Sequence, residues 1–532
     1  METETTMPRR YPVGIQTFER IREENYLYID KTDLVWKLTK ESPFVFLSRP
    51  RRFGKSLLTT TLDSYFKGQR ELFEGLKIME LEQEWESRPV IHLDLSVAKQ
   101  QPTPDELRST LMWLMDSLCR NYGYDDRETT PGKMLNGLIR RSYEQSGKQV
   151  AVIIDEYDAP LLDQLYDTEG LDQYRDVMQE LYVQLKACEA MIRFCFITGI
   201  TKFSQLSIFS TINNLLNVSM DPRYASICGI TEEEFARDMA PDIAMLSVAY
   251  ECTPEEMHAK LKQRYDGYRF SEASPEIYNP FSLLKCFQHR KMSNYWFESG
   301  TPTFLIRQMQ RFRTDITELE DLEEPAEAFD RPTEAMENAL PLLYQSGYLT
   351  IKGYDRETEL YRLGIPNKEV RVGFVQGLLP TYIGLEGSGV QKGFALRFWQ
   401  ALKKDDLDLA LREMQAYFAG LPYIEGFKKK LADISNVEGF YEWSFYLILS
   451  MLEIYCLSQV KCARGRADLV VWMPDAIYVI EIKLDKTAKE ALDQIDAKGY
   501  AIPYQTDGRR VVKAGVNFST ETKTLTDWVI CN

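Results

Sequence analysis

The sequence has few of the residues from which metal and disulfide centres are built. Its 532 residues include three histidines and nine cysteines, and no two cysteines form a C-x-x-C pair. Zinc sites and disulfide frameworks need such groups in larger number or at short spacing. The sequence therefore argues against both kinds of centre, and a reducing cytoplasm is the expected location.

Long apolar runs are also missing. One of the longest, "FYLILSMLEIYCL" at 445–457, contains Glu453 and is shorter than the roughly 20 residues of a membrane span. The start of the chain, "METETTMPRRYPVG", lacks the apolar core of a secretory signal. We expect no membrane association.

Positive charge is in deficit, with a net charge of −16 and a sequence pI near 5.0. This balance argues against a protein that coats nucleic acid through many phosphate contacts. Two basic runs, "KCARGR" at 461–466 and "FKKKL" at 427–431, could still form a local groove. Solvated surface side chains are the simpler interpretation of either run.

The length of 532 residues predicts about three domains, and the apolar pattern indicates an α/β protein. In the first part, near-continuous Val, Ile, Leu and Phe runs alternate with helix-length segments, which predicts a parallel sheet with helices on both faces. A helical middle region and a C-terminal α/β region follow. The predicted boundaries are 1–235, 236–400 and 401–532. The predicted strands are 44–48, 89–96, 149–158, 192–200, 467–473, 476–484 and 510–518, with a helix over 487–501.

The stretch "FLSRPRRFGKSLL" at 46–58 matches a phosphate-binding loop with one departure. Gly54 allows close backbone approach, Lys55 can reach the β- and γ-phosphates, and Ser56 can ligate Mg²⁺. Arg49 stands where the motif G-x-x-x-x-G-K-[ST] has its first glycine. That glycine eases a turn and supplies no side-chain chemistry, so a different residue is tolerable there.

A second element supports the loop. The apolar strand in "VAVIIDEYD" ends in Asp155 and Glu156, where carboxylates emerge at the carboxyl end of a parallel strand. Asp155 is predicted to hold hydrated Mg²⁺ and Glu156 to orient or deprotonate the attacking water. A helix cap with a first-turn acid is the alternative for this pair. Thr198 could sense the γ-phosphate or be an ordinary strand-terminal hydroxyl.

These residues resemble a known family. The run from "YPVGIQTFERI" to "FLSRPRRFGKSLL", with "IIDEYDAP" and "FITGITKFSQLSIFSTINNL", is similar to a bacterial AAA-ATPase-like family whose members carry R-P-R-R-F-G-K-S at this loop. The resemblance implies a P-loop NTPase fold and ATP as ligand. It extends the nucleotide-binding set to Arg49, Arg52 and Leu57. "IPNKEV" at 365–370 lacks the aspartate of a guanine-reading motif, which also favours ATP over GTP.

The stretch "RADLVVWMPDAIYVIEIKL" predicts a hairpin whose turn centres on Pro474-Asp475. That register places Asp468 opposite Glu481, with Lys483 on the same face as Glu481. Two carboxylates directly across a ladder repel each other, and a divalent cation would offset the repulsion. An exposed edge with ordinary salt bridges is the alternative for E-x-K on a strand.

Asp-x₁₂-Glu-x-Lys on such a hairpin resembles the PD-(D/E)xK nuclease superfamily. The resemblance implies a restriction-endonuclease-like domain in which Asp468 and Glu481 hold Mg²⁺ and Lys483 positions or activates water. It also implies supporting roles for Glu442, Gln494 and Tyr500. Ala467, rather than proline, precedes Asp468.

Two functions remain open at this stage. One is an ATP-binding enzyme with a Mg²⁺-dependent nuclease-like domain acting on DNA or RNA. The other is an ATP-dependent switch or scaffold whose C-terminal domain only binds a partner.

In the middle region, "LYQSGYLTI" predicts helix, turn and strand, as in a winged helix, which could bind DNA or close on nucleotide. The sequence names no substrate, arginine finger or oligomeric state.

Overall fold

The structure is a computed structural model, which describes residues 9–162, 164, 168–202, 214–299, 305, 308–309, 311–312, 314, 319, 322–332, 336–374, 390–419, 445, 448–449 and 455–531. The chain divides into two compact units. The first comprises Met1–Thr314 and Asp321–Glu369, and the second comprises Asp315–Glu320 and Val370–Asn532. A boundary near residue 235, inside the first unit, stays a prediction.

The first unit contains a sheet of five parallel strands, with all four predicted buried strands present. The strands are β1 (Phe44–Ser48), β2 (Val90–Asp94), β3 (Val150–Asp155), β4 (Ile192–Gly199) and β5 (Leu216–Asn217). Their spatial order is β2-β3-β4-β1-β5, so β4 lies between the strand of the loop and the strand of the acid pair. The short edge strand β5 has no counterpart among the predicted strands.

Helices cover both faces of this sheet, which confirms the predicted α/β class. On one face, Phe66 stacks on Phe194 of β4 with ring centroids 5.3 Å apart. On the other, Cys195 packs in one hydrophobic cluster with Leu111 and Leu138. The helices of the first unit are α1 (Phe18–Glu23), α2 (Thr32–Glu41), α3 (Lys55–Phe66), α4 (Ile78–Leu81), α5 (Pro104–Tyr122), α6 (Pro131–Ser146), α7 (Ala159–Leu162), α8 (Thr168–Ala187), α9 (Glu232–Asp238), α10 (Ala240–Ala249), α11 (Pro254–Tyr265), α12 (Pro280–His289), α13 (Ala326–Phe329) and α14 (Leu340–Gln345).

Several of these helices begin at a threonine-proline pair. Thr103, Thr130 and Thr253 each accept a hydrogen bond from the backbone N–H three residues on, and each is followed by proline at the first helical position. The hydroxyl satisfies an N–H that lacks a partner at a helix start, and proline needs no partner there. Local sequence therefore sets where α5, α6 and α11 begin.

The middle region combines helices with small antiparallel sheets. β6 (Ile230–Thr231) pairs with β7 (Ile277–Tyr278), and β8 (Leu322–Glu324), β10 (Leu360–Gly364) and β9 (Thr350–Asp355) form a three-stranded sheet in that order. The helix, turn and strand predicted from "LYQSGYLTI" are present as α14 and β9. A DNA-binding or lid role for them stays a prediction.

A buried carboxyl in this region sets a pH dependence. Glu369 is 1% exposed and accepts a hydrogen bond of 3.0 Å from the Trp296 backbone N–H. Burial raises the pKa of Glu369 from 4.5 to about 7. The folded chain therefore holds a proton that the unfolded chain releases between about pH 4.5 and pH 7. The free energy of unfolding falls as the pH rises through that window.

We expect Glu369→Gln to remove this dependence, because glutamine keeps the acceptor and cannot ionise. Between pH 5 and pH 8 the variant should lose about 3 kcal/mol less of its free energy of unfolding than the wild type. Urea denaturation at both pH values measures the difference. The exposed Glu357→Gln is the control, and equal pH dependence in Glu369→Gln and wild type would contradict the assignment.

The second unit is a mixed sheet with helices on both faces. The strands β11 (Tyr455–Cys462), β12 (Gly465–Trp472), β13 (Ala476–Leu484), β14 (Arg510–Phe518) and β15 (Leu525–Cys531) lie in sequence order. β13 and β14 are parallel, and the other pairs are antiparallel. Leu469 and Val471 pack with helix residues on one face, and Val470 packs with Ile495 on the other. The helices are α15 (Val390–Lys403), α16 (Leu407–Ala419) and α17 (Ala488–Lys498).

Candidate functional sites

The first candidate site lies at the carboxyl edge of the parallel sheet. β1 ends at Ser48, β3 at Asp155 and β4 at Gly199. Because parallel strands end at the same edge, the loop after β1, the acid pair after β3 and the end of β4 converge there. The intervening β4 pairs with β1 and β3 over most of its length. The sheet thereby brings two elements that are about 100 residues apart in the sequence to the same edge, with β4 between their strands.

Lys55 is enclosed by the loop that precedes it. It is 5% exposed, and its Nζ donates to the carbonyls of Arg49 at 3.0 Å and Pro50 at 3.2 Å. Gly54 begins α3 with φ of +94°, a backbone conformation that side chains disfavour. An added Cβ at Gly54 would meet no atom within 4 Å. Glycine is therefore needed at this position for its backbone angle and not for space.

Asp155 and Ser56 offer oxygen ligands beside Lys55. Asp155 is 2% exposed at the end of β3. Burial raises the pKa of Asp155, while a hydrogen bond from the Ser56 hydroxyl and the positive charge of Lys55 act in the opposite direction. Carboxylate and hydroxyl oxygens are ligands that Mg²⁺ accepts. The Ser56 and Asp155 oxygens therefore fit a magnesium ion at this edge of the sheet.

Glu156 has an unusual backbone and an ion-pair partner. Its φ of +50° is uncommon for a residue with a side chain and costs of order 1–3 kcal/mol. Its Oε2 lies 3.0 Å from Nζ of Lys99, just beyond the end of β2. Burial would raise the pKa of Glu156, but Lys55 and Lys99 together lower it below the ordinary value. Glu156 is therefore an anion held by a lysine from the segment that follows the neighbouring strand.

The turn after β3 is fixed by groups that follow the acid pair. The Tyr157 backbone N–H donates to the Thr198 carbonyl at 3.1 Å. The Asp158 carboxylate accepts from the backbone N–H groups of Ile200 at 3.1 Å and Thr201 at 2.7 Å, and from the Thr201 hydroxyl at 2.6 Å. These contacts tie the acid-bearing turn to the end of β4. They fix the strained conformation of Glu156.

Thr198 contributes to the strand core. It is fully buried, and its hydroxyl donates to the Leu47 carbonyl of β1 at 2.6 Å. The hydroxyl thus cross-links β4 to the strand that carries the loop. A role in sensing the γ-phosphate stays a prediction.

The Arg49 side chain points into the protein. Its guanidinium donates to the carbonyls of Ser48 at 3.0 Å, Ser219 at 2.7 Å and Tyr224 at 3.2 Å, and lies 4.1 Å from the centroid of the Phe270 ring. Arg49 is 2% exposed, and burial lowers its pKa to about 10. The residue that replaces the first motif glycine therefore ties the loop to the chain after β5. This geometry does not favour a direct contact between the Arg49 side chain and a nucleotide.

Arg52 of the loop and Leu57 of α3 have different surroundings. The Arg52 guanidinium donates to the Tyr295 carbonyl at 2.9 Å and lies 3.8 Å from the centroid of the Phe281 ring. Leu57 lines an apolar cleft beside Gly54. Arg52 thus contacts the middle region, and Leu57 borders a space next to the loop.

The second candidate site lies at one end of the β12–β13 hairpin. The ladder runs from Leu469 paired with Ile480 to Trp472 paired with Ile477, which is the predicted register. One step further, where Asp468 faces Glu481, each carboxylate accepts a hydrogen bond from a backbone N–H of the opposite strand. The Asp468 backbone N–H donates to Glu481 Oε2 at 3.4 Å, and the Ile482 backbone N–H donates to Asp468 Oδ2 at 2.7 Å. The predicted carboxylate pair is present.

Glu481 is the buried centre of this site. It is 1% exposed, and Nζ of Lys483 lies 3.0 Å from its Oε1. Burial and the neighbouring Asp468 raise the pKa of Glu481 to about 7, while Lys483 acts in the opposite direction. A buried acid with raised proton affinity beside a second carboxylate is a cation-binding arrangement. The donors present therefore fit a divalent metal ion.

Close approach of α17 brings Gln494 to the acid. Gly515 pairs with Glu481 in the β13–β14 ladder, and an added Cβ at Gly515 would lie 2.0 Å from the Ala488 carbonyl. The missing side chain lets α17 pack directly on β14. Gln494 then donates from Nε2 to Glu481 Oε1. Tyr500 is buried in the hydrophobic cluster on the same face.

The set of acids is incomplete in the described chain. Among the residues that the structure describes, no group of three or more His, Cys, Asp or Glu side chains is placed to hold a metal ion. The third predicted acid, Glu442, lies outside the described residues. Asp468 and Glu481 are thus the described carboxylates at this centre.

Comparison with known proteins agrees with both sites. A family model described as "Predicted AAA-ATPase" matches residues 12–209, and a model of the "PD-(D/E)XK nuclease superfamily" matches residues 436–528. A curated relative from Azotobacter chroococcum mcd 1, described as "Uncharacterized protein in vnfD 5'region", is 32% identical over 534 residues, which span 98% of this chain and 99% of the relative. The chain belongs to the predicted AAA-ATPase family. Its C-terminal domain is of the PD-(D/E)XK nuclease superfamily.

The similarity to the relative covers both parts of this predicted AAA-ATPase. The two family models include the loop, the acid pair and the hairpin acids. In the described part of the chain, none of the helices combines the length and apolar composition that crossing a membrane requires.

Two contacts of this AAA-ATPase-like site were beyond the sequence analysis. Lys99 has no motif of its own, because its approach to Glu156 depends on β2 and β3 being neighbours. Asp158 stands in the quoted "IIDEYDAP", but its partners at 200–201 follow from the position of β4.

Proposed function

We propose that the chain binds and hydrolyses ATP at the first site and cleaves phosphodiester bonds of nucleic acid at the second. The observation that supports the ATP site best is the meeting of Lys55, Asp155 and Glu156 at one sheet edge. The nuclease centre is supported by the cross-strand hydrogen bonds that join Asp468 and Glu481, and by the ion pair of Glu481 with Lys483. Nucleotide is proposed to control the second activity.

At the first site the residues have separate roles. Lys55 would exchange its carbonyl partners for the β- and γ-phosphates, and Ser56 and Asp155 would hold Mg²⁺. The metal would neutralise charge on the phosphoryl oxygens. Glu156 orients the attacking water or accepts its proton, which requires a carboxylate. Its lowered pKa keeps the carboxylate ionised near neutral pH.

At the second site, Asp468 and Glu481 would hold Mg²⁺, whose chemistry there is stabilisation of charge on a phosphodiester. Lys483 places its ammonium beside the same centre and positions or activates the attacking water. Gln494 keeps Glu481 oriented through its amide.

A second candidate function is an ATP-dependent switch whose C-terminal domain binds a partner without cleavage. One observation favours it. Glu481 already has an ion pair with Lys483 and a hydrogen bond from Gln494, so the buried acid is satisfied without a cation. The net charge of −16 is in keeping with a partner other than nucleic acid.

Metal removal separates these functions. We expect the purified chain to cut plasmid, single-stranded DNA or single-stranded RNA with Mg²⁺ or Mn²⁺, and to lose all cutting when EDTA chelates the metal. Gel electrophoresis with and without ATP measures both the cleavage and its control by nucleotide. Intact substrates under every condition, from a protein that still binds ATP, would favour the switch.

A further inference from the structure

Like charges face each other at the end of the β11–β12 hairpin. Lys461 is paired directly with Arg466 in the antiparallel ladder, and Arg464 lies in the turn that joins the strands. All three side chains are exposed. Cations directly opposite each other destabilise such a pair, and a bound anion would reverse that effect.

These cations lack protein partners in the described chain. Within the residues that the structure describes, no carboxylate forms an ion pair with Lys461, Arg464 or Arg466. Five other cations of the same unit form ion pairs, which are Arg397–Glu413, Arg412–Asp408, Arg509–Asp507, Arg510–Asp405 and Lys513–Asp496. Positive charge is therefore left uncompensated at this end of the sheet, in a chain that is acidic as a whole.

The same end of the sheet carries the nuclease-like centre. β12 begins at Gly465 and β13 ends at Leu484. Because the two strands are antiparallel, the start of β12 lies beside the end of β13, where Glu481 and Lys483 stand. The cationic hairpin end is thus two residues from Asp468 along the chain.

Two further exposed cations follow β13, namely Lys486 and Lys489. Two acids nearby, Asp485 and Glu490, are occupied by local contacts. The Asp485 carboxylate accepts from the Thr520 backbone N–H at 2.9 Å and from its hydroxyl at 2.6 Å. Glu490 forms a capping box with Thr487 at the start of α17. The lysines therefore keep their charge available to solvent.

We infer that Lys461, Arg464, Arg466, Lys486 and Lys489 form a cationic rim that binds the phosphate backbone of a nucleic-acid strand and places it against Asp468 and Glu481. This inference rests on the proposed nuclease function and names how its substrate is held. Contacts of this kind position a strand without reading its sequence. Nucleic acid is the occupant because its phosphates supply repeated negative charge beside a centre suited to phosphodiester chemistry.

The test uses binding without cleavage. In a Lys483→Ala background, the double variant Arg464→Ala/Arg466→Ala is compared with Lys403→Ala/Lys404→Ala. The control pair is exposed and adjoins Asp405, which contacts Tyr478 and Arg510 near the opposite end of β13 and β14. Fluorescence anisotropy with duplex DNA, single-stranded DNA and single-stranded RNA measures affinity between about 50 and 200 mM salt.

We expect the rim variant to bind at least about tenfold more weakly, with a salt slope reduced by about 1.4–1.8 for two lost phosphate contacts. The control should match its parent. The arm in which the parent binds most tightly identifies the preferred strand type. Equal affinity of rim variant and parent, or equal losses in rim and control variants, would overturn the inference. So would a rim-dependent affinity for polyglutamate with unchanged nucleic-acid binding, because an acidic protein would then be the partner.

Failure of this inference can be told from failure of the proposed function. If the chain cleaves nucleic acid in EDTA-sensitive fashion and the rim variant keeps the affinity of its parent, the rim is wrong and the nuclease stands. If the rim variant loses binding but no form of the chain cleaves, the rim stands and cleavage is wrong. Unchanged thermal melting of the rim variant ensures that a loss of affinity reports on binding.

Discussion

Lys55→Ala is expected to weaken ATP binding by at least about 100-fold and to abolish hydrolysis. The lysine supplies the only ammonium that the described loop encloses, with Nζ held between the carbonyls of Arg49 and Pro50. A charge-assisted contact to phosphate in such a buried position contributes several-fold more than a surface pair. Fluorescent-nucleotide titration and phosphate release measure the two effects.

Two companion variants make this result specific. Lys67→Ala changes an exposed lysine at the other end of α3 and should leave ATP binding unchanged. Glu156→Gln should keep binding but slow hydrolysis by about 100-fold, since the amide cannot accept a proton from water. Unchanged turnover in Lys55→Ala would remove the first site from the proposed function.

The second large effect is expected from Lys483→Ala. Its ammonium lies 3.0 Å from Glu481 Oε1 and is the charged donor next to the hairpin acids. Loss of a group that positions or activates water at a phosphodiester should lower the cleavage rate by at least about 100-fold. Rates on the substrate that the wild type cuts fastest, at saturating Mn²⁺, measure the change.

Lys498→Ala is the matched control for that experiment, since it removes an exposed lysine at the far end of α17. Its rate should equal that of the wild type. Similar cleavage by Lys483→Ala and wild type would exclude Lys483 from the chemistry and would point to a contaminating nuclease. Thermal melting of Lys483→Ala shows whether the variant is still folded when Glu481 has lost its ion-pair partner.

Local sequence was sufficient for the elements that carry the chemistry. The strands over 44–48, 476–484 and 510–518 have the predicted bounds, because segments rich in apolar β-formers leave little choice of conformation. The hairpin register that sets Asp468 against Glu481 also follows from local sequence, since a short turn fixes which residues face each other. Both family assignments rest on such contiguous stretches.

Arg49 shows where local sequence stops being sufficient. The family resemblance placed it in the nucleotide-binding set, but the partners of its side chain include the carbonyls of Ser219 and Tyr224, about 170 residues away. A buried guanidinium must find hydrogen-bond acceptors, and only the folded chain determines which acceptors are near. The contact of Lys99 with Glu156 and the position of the cationic rim beside Asp468 depend in the same way on which strands are neighbours.

The amino-acid sequence by itself determined the α/β class, the loop with Lys55, the acid pair after β3 and the register of the C-terminal hairpin. Each of these is a property of short segments, where periodicity and turn residues act over a few positions. The tertiary structure alone decided that β4 separates the two halves of the first site, that Arg49 turns inward and that α17 brings Gln494 to Glu481. Those features depend on contacts between distant segments, whose pairing is selected by the packing of the whole unit.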